Sequence, residues 1–311
     1  MLASMSVYTE LLQLDIEDLL ARYALGEYRA HRGISAGVEN TNYFVDTSTH
    51  RLVLTLFEKH SHEELPFFLN LGEHLFRHQC KVPQPFRCDQ GFLLQTVKGK
   101  PAVLIERLAG DHVIPSPDYA QDIARALGQV HIATASFAES RGHSHNLAWV
   151  QRSADHLLAQ LTPADRQVLQ QSLTLLDQLP DNLPQGIIHA DLFHDNAMFD
   201  QGHISGIIDW YFAGRDAYAL DIAIALNDWC VDANGRLDRA LVSEFVAAYQ
   251  SQRPLSPIEL DALLLLQIQA ATRFWLSRLM AQAQHRQSDA HITVKDPEPM
   301  KALLVQLIGY T

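Results

Sequence analysis

The chain has 311 residues, 47% of them hydrophobic and 19% charged. That is enough apolar material for a packed core, which excludes disorder and fibrous repeats for most of the length, and at roughly 100–200 residues per domain it implies two lobes. Lysine plus arginine total 24 against 36 acids, a formal charge of −12, so the chain repels phosphate backbones and a nucleic-acid partner is not expected.

The remaining composition sets the compartment. The three cysteines, Cys80, Cys88 and Cys230, form no CxxC pair. This argues against a disulfide framework or structural zinc and for a reducing environment. The first residues lack the basic segment of a signal peptide, and no apolar run approaches the roughly 18–20 residues that cross a bilayer. The expected setting is the cytoplasm, without a membrane.

Asp15 can cap a short amphipathic helix that Gly26 can close. From Glu27 to Glu58 the pattern changes to β-branched and aromatic residues between turn signals. It predicts strands over Tyr28–Ile34, Asn40–Asp46 and Leu52–Phe57, with turns at Ser35–Val38 and Thr47–His50. His62–Gln79 carries Leu65, Phe68, Leu71, Leu75 and Phe76 at helical spacing and stops before Pro83. Phe92–Gln95 and Ala102–Arg107 read as a strand pair joined at Gly99-Lys100. The N-terminal lobe is thus an antiparallel five-stranded sheet with a helix, over residues 1–107, with a boundary at about 105–110.

Residues 108–311 read as mainly helical, with helices over Pro117–Phe137, Leu147–Leu161, Pro163–Gln178, Tyr218–Cys230, Leu237–Gln252, Pro257–Gln284 and Pro297–Ile308. One interruption, Gly186 to Asp209, reads strand, loop, strand, turn, strand, with Gln201-Gly202 as a hairpin turn. The fold class is therefore α+β, with a small β insert inside a helical lobe.

That insert carries His189-x-Asp191-x4-Asn196, followed by Ile207-Ile-Asp209-Trp210. Phosphoryl transfer needs these residue types in this order. One carboxylate orients the attacking hydroxyl, while a second carboxylate and an amide oxygen hold Mg²⁺ against the ATP phosphates. An ordinary Asx-rich loop could share the three positions by chance, but the strand before them and the later Ile-Ile-Asp make that coincidence smaller.

The constellation resembles the aminoglycoside phosphotransferase and choline kinase superfamily, which shares the protein-kinase fold. Further segments resemble homoserine kinases of the aminoglycoside-phosphotransferase-like type. They are Gly37-Val-Glu-Asn40-Thr-Asn42, Leu54-Thr-Leu-Phe-Glu-Lys59, Asn227-Asp-Trp-Cys230, Arg273-Phe-Trp-Leu-Ser-Arg278 and Lys295-Asp-Pro297. The resemblance implies a protein-kinase-like two-lobe fold and transfer of phosphate from ATP to L-homoserine, giving O-phospho-L-homoserine on the route to threonine. It implies Asp191 as catalytic base, Asn196 and Asp209 as Mg²⁺ ligands, and His189 and Asp221 as supports of the loop. It also implies nucleotide contacts from the loop Ser35–Asn42, which contains Gly37, Asn40 and Asn42, and from a hinge at Glu106 and Leu108. The usual third-strand cation of the superfamily falls on Thr55 here, so Lys59 or another cation must reach the phosphates or the contact is missing.

For the acceptor, a carboxylate suits arginine. Arg273 sits in an apolar run where a charge needs a reason, either the substrate or an internal ion pair. Arg278 reads as a surface or helix-pairing residue. Asp228 or Glu39 could meet an ammonium, and Trp229 could wall the pocket. His74 and His78, one turn apart before Cys80, lack a third ligand and read as a solvated face. Two rival readings stand beside homoserine phosphorylation: a kinase of choline, ethanolamine or an aminoglycoside, and a nucleotide-binding regulatory protein with weak catalysis.

Overall fold

The computed structural model describes residues 9–34, 40–285 and 295–311. These form two compact units, with the division between Ala109 and Gly110.

The first unit is built on a five-stranded antiparallel sheet in the order β1-β2-β3-β5-β4. Its strands are β1 (Tyr28–Ile34), β2 (Asn40–Thr47), β3 (Arg51–Phe57), β4 (Gln95–Val97) and β5 (Lys100–Glu106). Alternation decides which face is covered. Tyr43 and Val45 of β2, Leu52, Leu54 and Leu56 of β3, and Ala102 and Leu104 of β5 share a core with Ile16, Leu19 and Leu20 of α1 (Gln13–Leu20). Asp15 does serve that helix, but from its third residue, where its carboxylate accepts the Leu12 N–H at 2.7 Å. The helix ends at Leu20, well before Gly26.

The β4–β5 turn uses Lys98 and Gly99, both at positive φ, as a two-residue hairpin requires. The expected strand at Phe92 starts only at Gln95. Gly91 at φ 85° and the Cys88 N–H to Phe92 carbonyl bond close a separate turn there. The predicted helix after β3 is α2 (Leu65–Arg77), which buries Leu65, Phe68, Leu71 and Leu75.

The second unit is helical, with α3 (Pro117–Thr134), α4 (Leu147–Leu157), α5 (Pro163–Leu176), α6 (Tyr218–Trp229), α7 (Arg239–Gln250), α8 (Pro257–His285) and α9 (Glu298–Ile308). Sequence signals set the starts. Ser116, Asn146, Thr162 and Asp238 each accept a backbone N–H of the first turn, and Pro117 and Pro163 open their helices where no N–H is needed. Apart from Asp221, Asn227 and Asp228, α6 is apolar, and it is buried almost throughout, as suits a helix at the centre of a core. It packs on α8, and the same core takes in residues of α4, α5 and α9.

The β insert comprises β6 (Gln185–Ile188), the hairpin of β7 (Ala197–Asp200) and β8 (His203–Ile207), and β9 (Gly214–Ala217), which pairs antiparallel with β6. Gln201 and Gly202 both take positive φ in the hairpin turn. β9 was not expected, because Gly214-Arg215-Asp216-Ala217 has no strand pattern and owes its geometry to the β6 ladder. Among the described residues no helix is long and apolar enough to cross a membrane.

Gly110 anchors the first chain segment of this unit to β7. Its φ is 88°, and a Cβ there would lie 1.9 Å from the Phe199 carbonyl oxygen. The next residue, Asp111, exchanges both backbone hydrogen bonds with Phe199, at 3.0 and 2.9 Å. Gly110→Ala should therefore cost roughly 2 kcal/mol or more of stability and lower the melting temperature. An unchanged melt would mean that this close approach is not maintained in solution.

Candidate active site

The loop from His189 to Asn196 depends on one awkward residue. Ala190 has φ 66° although it carries a Cβ, a conformation that costs about 1–2 kcal/mol. The Asp221 carboxylate, fully buried on α6, accepts the His189 N–H at 2.7 Å and the Ala190 N–H at 2.8 Å. From α8, Arg273 donates to the Ala190 carbonyl. Hydrogen bonds to charged groups contribute about 1.5–3 kcal/mol each, so these outweigh the strain and leave the loop one shape.

The same shape converges three side chains. His189 Nδ1 accepts the Asp191 N–H at 3.2 Å, and its Nε2 lies 2.9 Å from the Ile208 carbonyl, which assigns the ring proton to Nε2. The ring meets Trp210 edge-on at 4.5 Å. Ile208 N–H returns a bond to the Asn196 carbonyl at 3.0 Å. Asn196 Nδ2 donates to the Asp191 carbonyl at 2.8 Å and to its Oδ2 at 3.0 Å. Asp209 follows Ile208 in a left-handed conformation, φ 63° and ψ 62°, and is exposed. Asp191, Asn196 and Asp209 are thus held by one web of bonds through His189 and Ile208.

Burial pushes the Asp191 carboxyl up to about 7. Arg273 opposes the shift, and the like charge of Asp209 adds to it. A carboxylate so raised can take a proton from a hydroxyl near neutral pH. The Asn196 amide nitrogen is committed to Asp191, so its carbonyl oxygen and the Asp209 carboxylate make a pair of hard oxygen donors. The pair fits Mg²⁺, which takes one or two protein oxygens and completes its shell from phosphates and water. Among the described residues no cluster of three His, Cys, Asp or Glu side chains could hold a metal by itself.

The other expected site residues divide. Gly37 and Glu39 lie outside the described residues. Thr55 is 5% exposed and donates to Asn42 Oδ1 at 2.7 Å, so each occupies the other. Asn40 Oδ1 is buried without a hydrogen-bond partner among the described residues. Lys59 is exposed, just past the end of β3. Glu106 N–H is bonded to the Gln84 carbonyl at 2.8 Å.

Three expectations for the acceptor need correction. Trp229 is fully buried and donates to the Leu192 carbonyl at 3.2 Å, so it braces the loop from inside and walls no open pocket. Asp228 is engaged by His194, whose backbone N–H lies at 2.6 Å and Nδ1 at 2.9 Å, which fills it as an ammonium site. Arg273 is 3% exposed and points at the loop backbone, with its guanidinium 4.2 Å from the Phe274 ring and 5.6 Å from that of Phe212. Burial brings its pKa down to about 10 despite the fields of Asp191 and Asp221. It makes no ion pair among the described residues, so neither of its expected roles is met and its contact is with Ala190.

Sequence reasoning missed the support behind Asp221. His131 of α3 places Nε2 3.1 Å from Asp221 Oδ2 and Nδ1 2.7 Å from the Tyr249 hydroxyl. That hydroxyl also accepts from Arg253, which is paired with Glu259 at 2.9 Å. The available signal was a histidine among the apolar residues of α3, a pattern that does not name its partner.

The sequence pattern of the phosphotransferase enzyme family matches residues 30–255. A protein named homoserine kinase from Polaromonas naphthalenivorans is 39% identical over 282 residues, 88% of this chain and 89% of that one. Another of that name, from Neisseria meningitidis serogroup B, is 38% identical over 305 residues, 97% of this chain and all of that one. Among solved structures, spectinomycin phosphotransferase in complex with ADP and spectinomycin superposes with a TM-score of 0.70 at 14% identity, covering 97% of this chain and 98% of that one. An amicoumacin kinase in complex with AMP-PNP and Ca²⁺ gives 0.67 at 18% identity, covering 94% of each chain. At these identities the likeness shows the fold alone, which is α+β and protein-kinase-like.

Two tests follow from the geometry. Asp221→Asn leaves one oxygen for two backbone N–H groups and should lower stability by about 1–3 kcal/mol and kcat at least tenfold. Normal turnover would show that Asp221 does not shape the loop. The second test is acidification. Burial holds His131, His143 and His189 below the ordinary histidine value, and brings His145 to about 3. The unfolded chain takes up these protons first, so stability is full above about 6.5 and falls below it. His194, raised by Asp228, and Asp191 act in the opposite direction. Urea midpoints should be lower at pH 5.5 than at pH 7.5; an equal or higher midpoint at pH 5.5 would mean that these rings are charged in the fold.

Proposed function

The chain belongs to the phosphotransferase enzyme family, and from that premise we propose that it phosphorylates the side-chain hydroxyl of L-homoserine with ATP and Mg²⁺. The observation that carries the choice of acceptor is the likeness, over almost the whole length of both chains, to proteins named homoserine kinase. The reaction class is supported independently by Asp191, held by Asn196 through two hydrogen bonds.

Asp191 orients the homoserine hydroxyl and receives its proton as the oxygen attacks the γ-phosphorus. The new O–P bond forms as the bond to the β-phosphate oxygen breaks, in line and without a covalent enzyme intermediate. Asn196 and Asp209 would hold Mg²⁺, which offsets charge on the phosphate oxygens. Arg273 and Asp221 act on neither substrate. They fix Ala190, and through it the direction of Asp191. Nucleotide contacts are assigned to Asn40, Asn42 and Lys59 for phosphate, with the region around Gly37, and to Glu106 and Leu108 for adenine. Thr55 supports Asn42 in this scheme.

ATP turnover with L-homoserine, choline, ethanolamine and kanamycin, each tested separately, checks the proposal. Homoserine alone should support turnover, and Asp191→Asn should reduce kcat by roughly 10²–10⁴. Turnover with another acceptor in place of homoserine would remove the assigned substrate. Nucleotide binding without any turnover would favour a regulatory protein.

A further inference from the structure

We propose that the charged end of the acceptor amino acid is read by Arg278 and Lys295, which take its carboxylate, and by Asp195, which takes its ammonium. This rests on the homoserine reading above and assigns a subsite within it.

Phe193, two residues beyond Asp191, organises the subsite. It is buried, with Phe274 of α8 edge-on against it at 4.6 Å and Lys295 Nζ 5.5 Å from its centroid. Arg278 lies one helical turn beyond Phe274, on the same face of α8. Its guanidinium donates to the Asp296 carbonyl at 2.9 Å, next to Lys295. Lys295 in turn pairs with Asp195 at 2.5 Å. Lys295 thus reaches the turn that carries Asn196 through Asp195, Arg278 is tied to the residue next to Lys295, and Asn196 touches Asp191.

The partners these groups lack are as informative as those they have. Arg278 is partly buried and makes no ion pair with a carboxylate among the described residues, although the fields of Asp228, Asp191 and Asp195 all act on it. Asp195 Oδ1 is buried with no hydrogen-bond partner among the described residues. The Lys295–Asp195 pair leaves its side chains 58% and 42% exposed, and an ion pair this open contributes little. A zwitterion can open it without changing the charge of the site. The ammonium replaces Lys295 on Asp195, and the freed Lys295 joins Arg278 on the carboxylate. The geometry then selects an amino acid whose hydroxyl, a short methylene chain away, reaches Asp191. Choline and ethanolamine, which have no carboxylate, leave both cations unanswered.

Two analogues separate the charges: aminopropanol lacks the carboxylate, and γ-hydroxybutyrate lacks the ammonium. For Arg278→Gln and Lys295→Met, the ratio of kcat/KM on homoserine to kcat/KM on aminopropanol should fall about tenfold or more, mainly through KM. For Asp195→Asn, the ratio of homoserine to γ-hydroxybutyrate should fall in the same way. Both substrates are measured on one preparation, so any loss of folded protein cancels. Ratios within twofold of the wild-type chain, with homoserine still turned over, would overturn the subsite and leave the homoserine reading standing. A wild-type chain that does not phosphorylate homoserine would overturn both.

Discussion

A charge in the interior needs partners, and the second unit is organised around meeting that need for Asp221. Its carboxylate has no exposed surface and sits on a helix that is otherwise almost wholly apolar. Left alone it would cost several kcal/mol. Burial works against it, yet the hydrogen bond from His131 and the backbone N–H of His189 hold it below the usual carboxylate range. The two N–H groups it accepts are those of His189 and Ala190, so satisfying the charge also fixes the turn into the His189–Asn196 loop. Behind it, His131, Tyr249, Arg253 and Glu259 continue the network to the start of α8. Glu259 there also accepts the Ser256 N–H and caps that helix. Helix placement and loop geometry share one chain of bonds.

Arg273 and Arg278 show how position decides the role of a side chain. They lie five residues apart on α8, about 140° around the helix axis. Arg273 faces inward, where aromatic rings and a carbonyl compensate its charge and solvent is excluded. Arg278 follows Phe274 on a face that stays partly open. The sequence offers two arginines in one motif, and only the helix phase separates the loop support from the candidate substrate contact.

The first unit shows a different compromise. Its covered face is a plain alternation of β2, β3 and β5 residues against α1. On the other face, Asn42 and Thr55 satisfy each other directly across the β2–β3 ladder, where they are register partners. A long cationic side chain at position 55 would not fit the short, 5% exposed space in which Thr55 meets Asn42. This gives a physical reason for a threonine there and leaves Lys59, beyond the strand end, as the nearby exposed cation.

Much of this was legible in the sequence. Period-two and helical patterns, proline and the capping residues located the sheet strands and the long helices to within a few residues, because local burial and local hydrogen bonding set those elements. The candidate loop was also legible, since two carboxylates and an amide at close spacing stand out in the sequence, and Asn196 does meet Asp191. Three things were not. β9 exists because β6 pairs with it on one side and residues 141–143 bond to Arg215 on the other. The partners of Asp221 come from α3 and, through Tyr249, from α7, at separations that no window of sequence spans. The function of Arg273, and the approach of Lys295 to Asp195 across 100 positions, depend on which face of α8 meets Phe193. Sequence by itself determined the elements and brought the candidate groups Asp191, Asn196 and Asp209 into one short insert. Tertiary packing decided which charges are buried, which are paired and which remain available to a substrate, because desolvation and Coulomb interactions depend on distances through space.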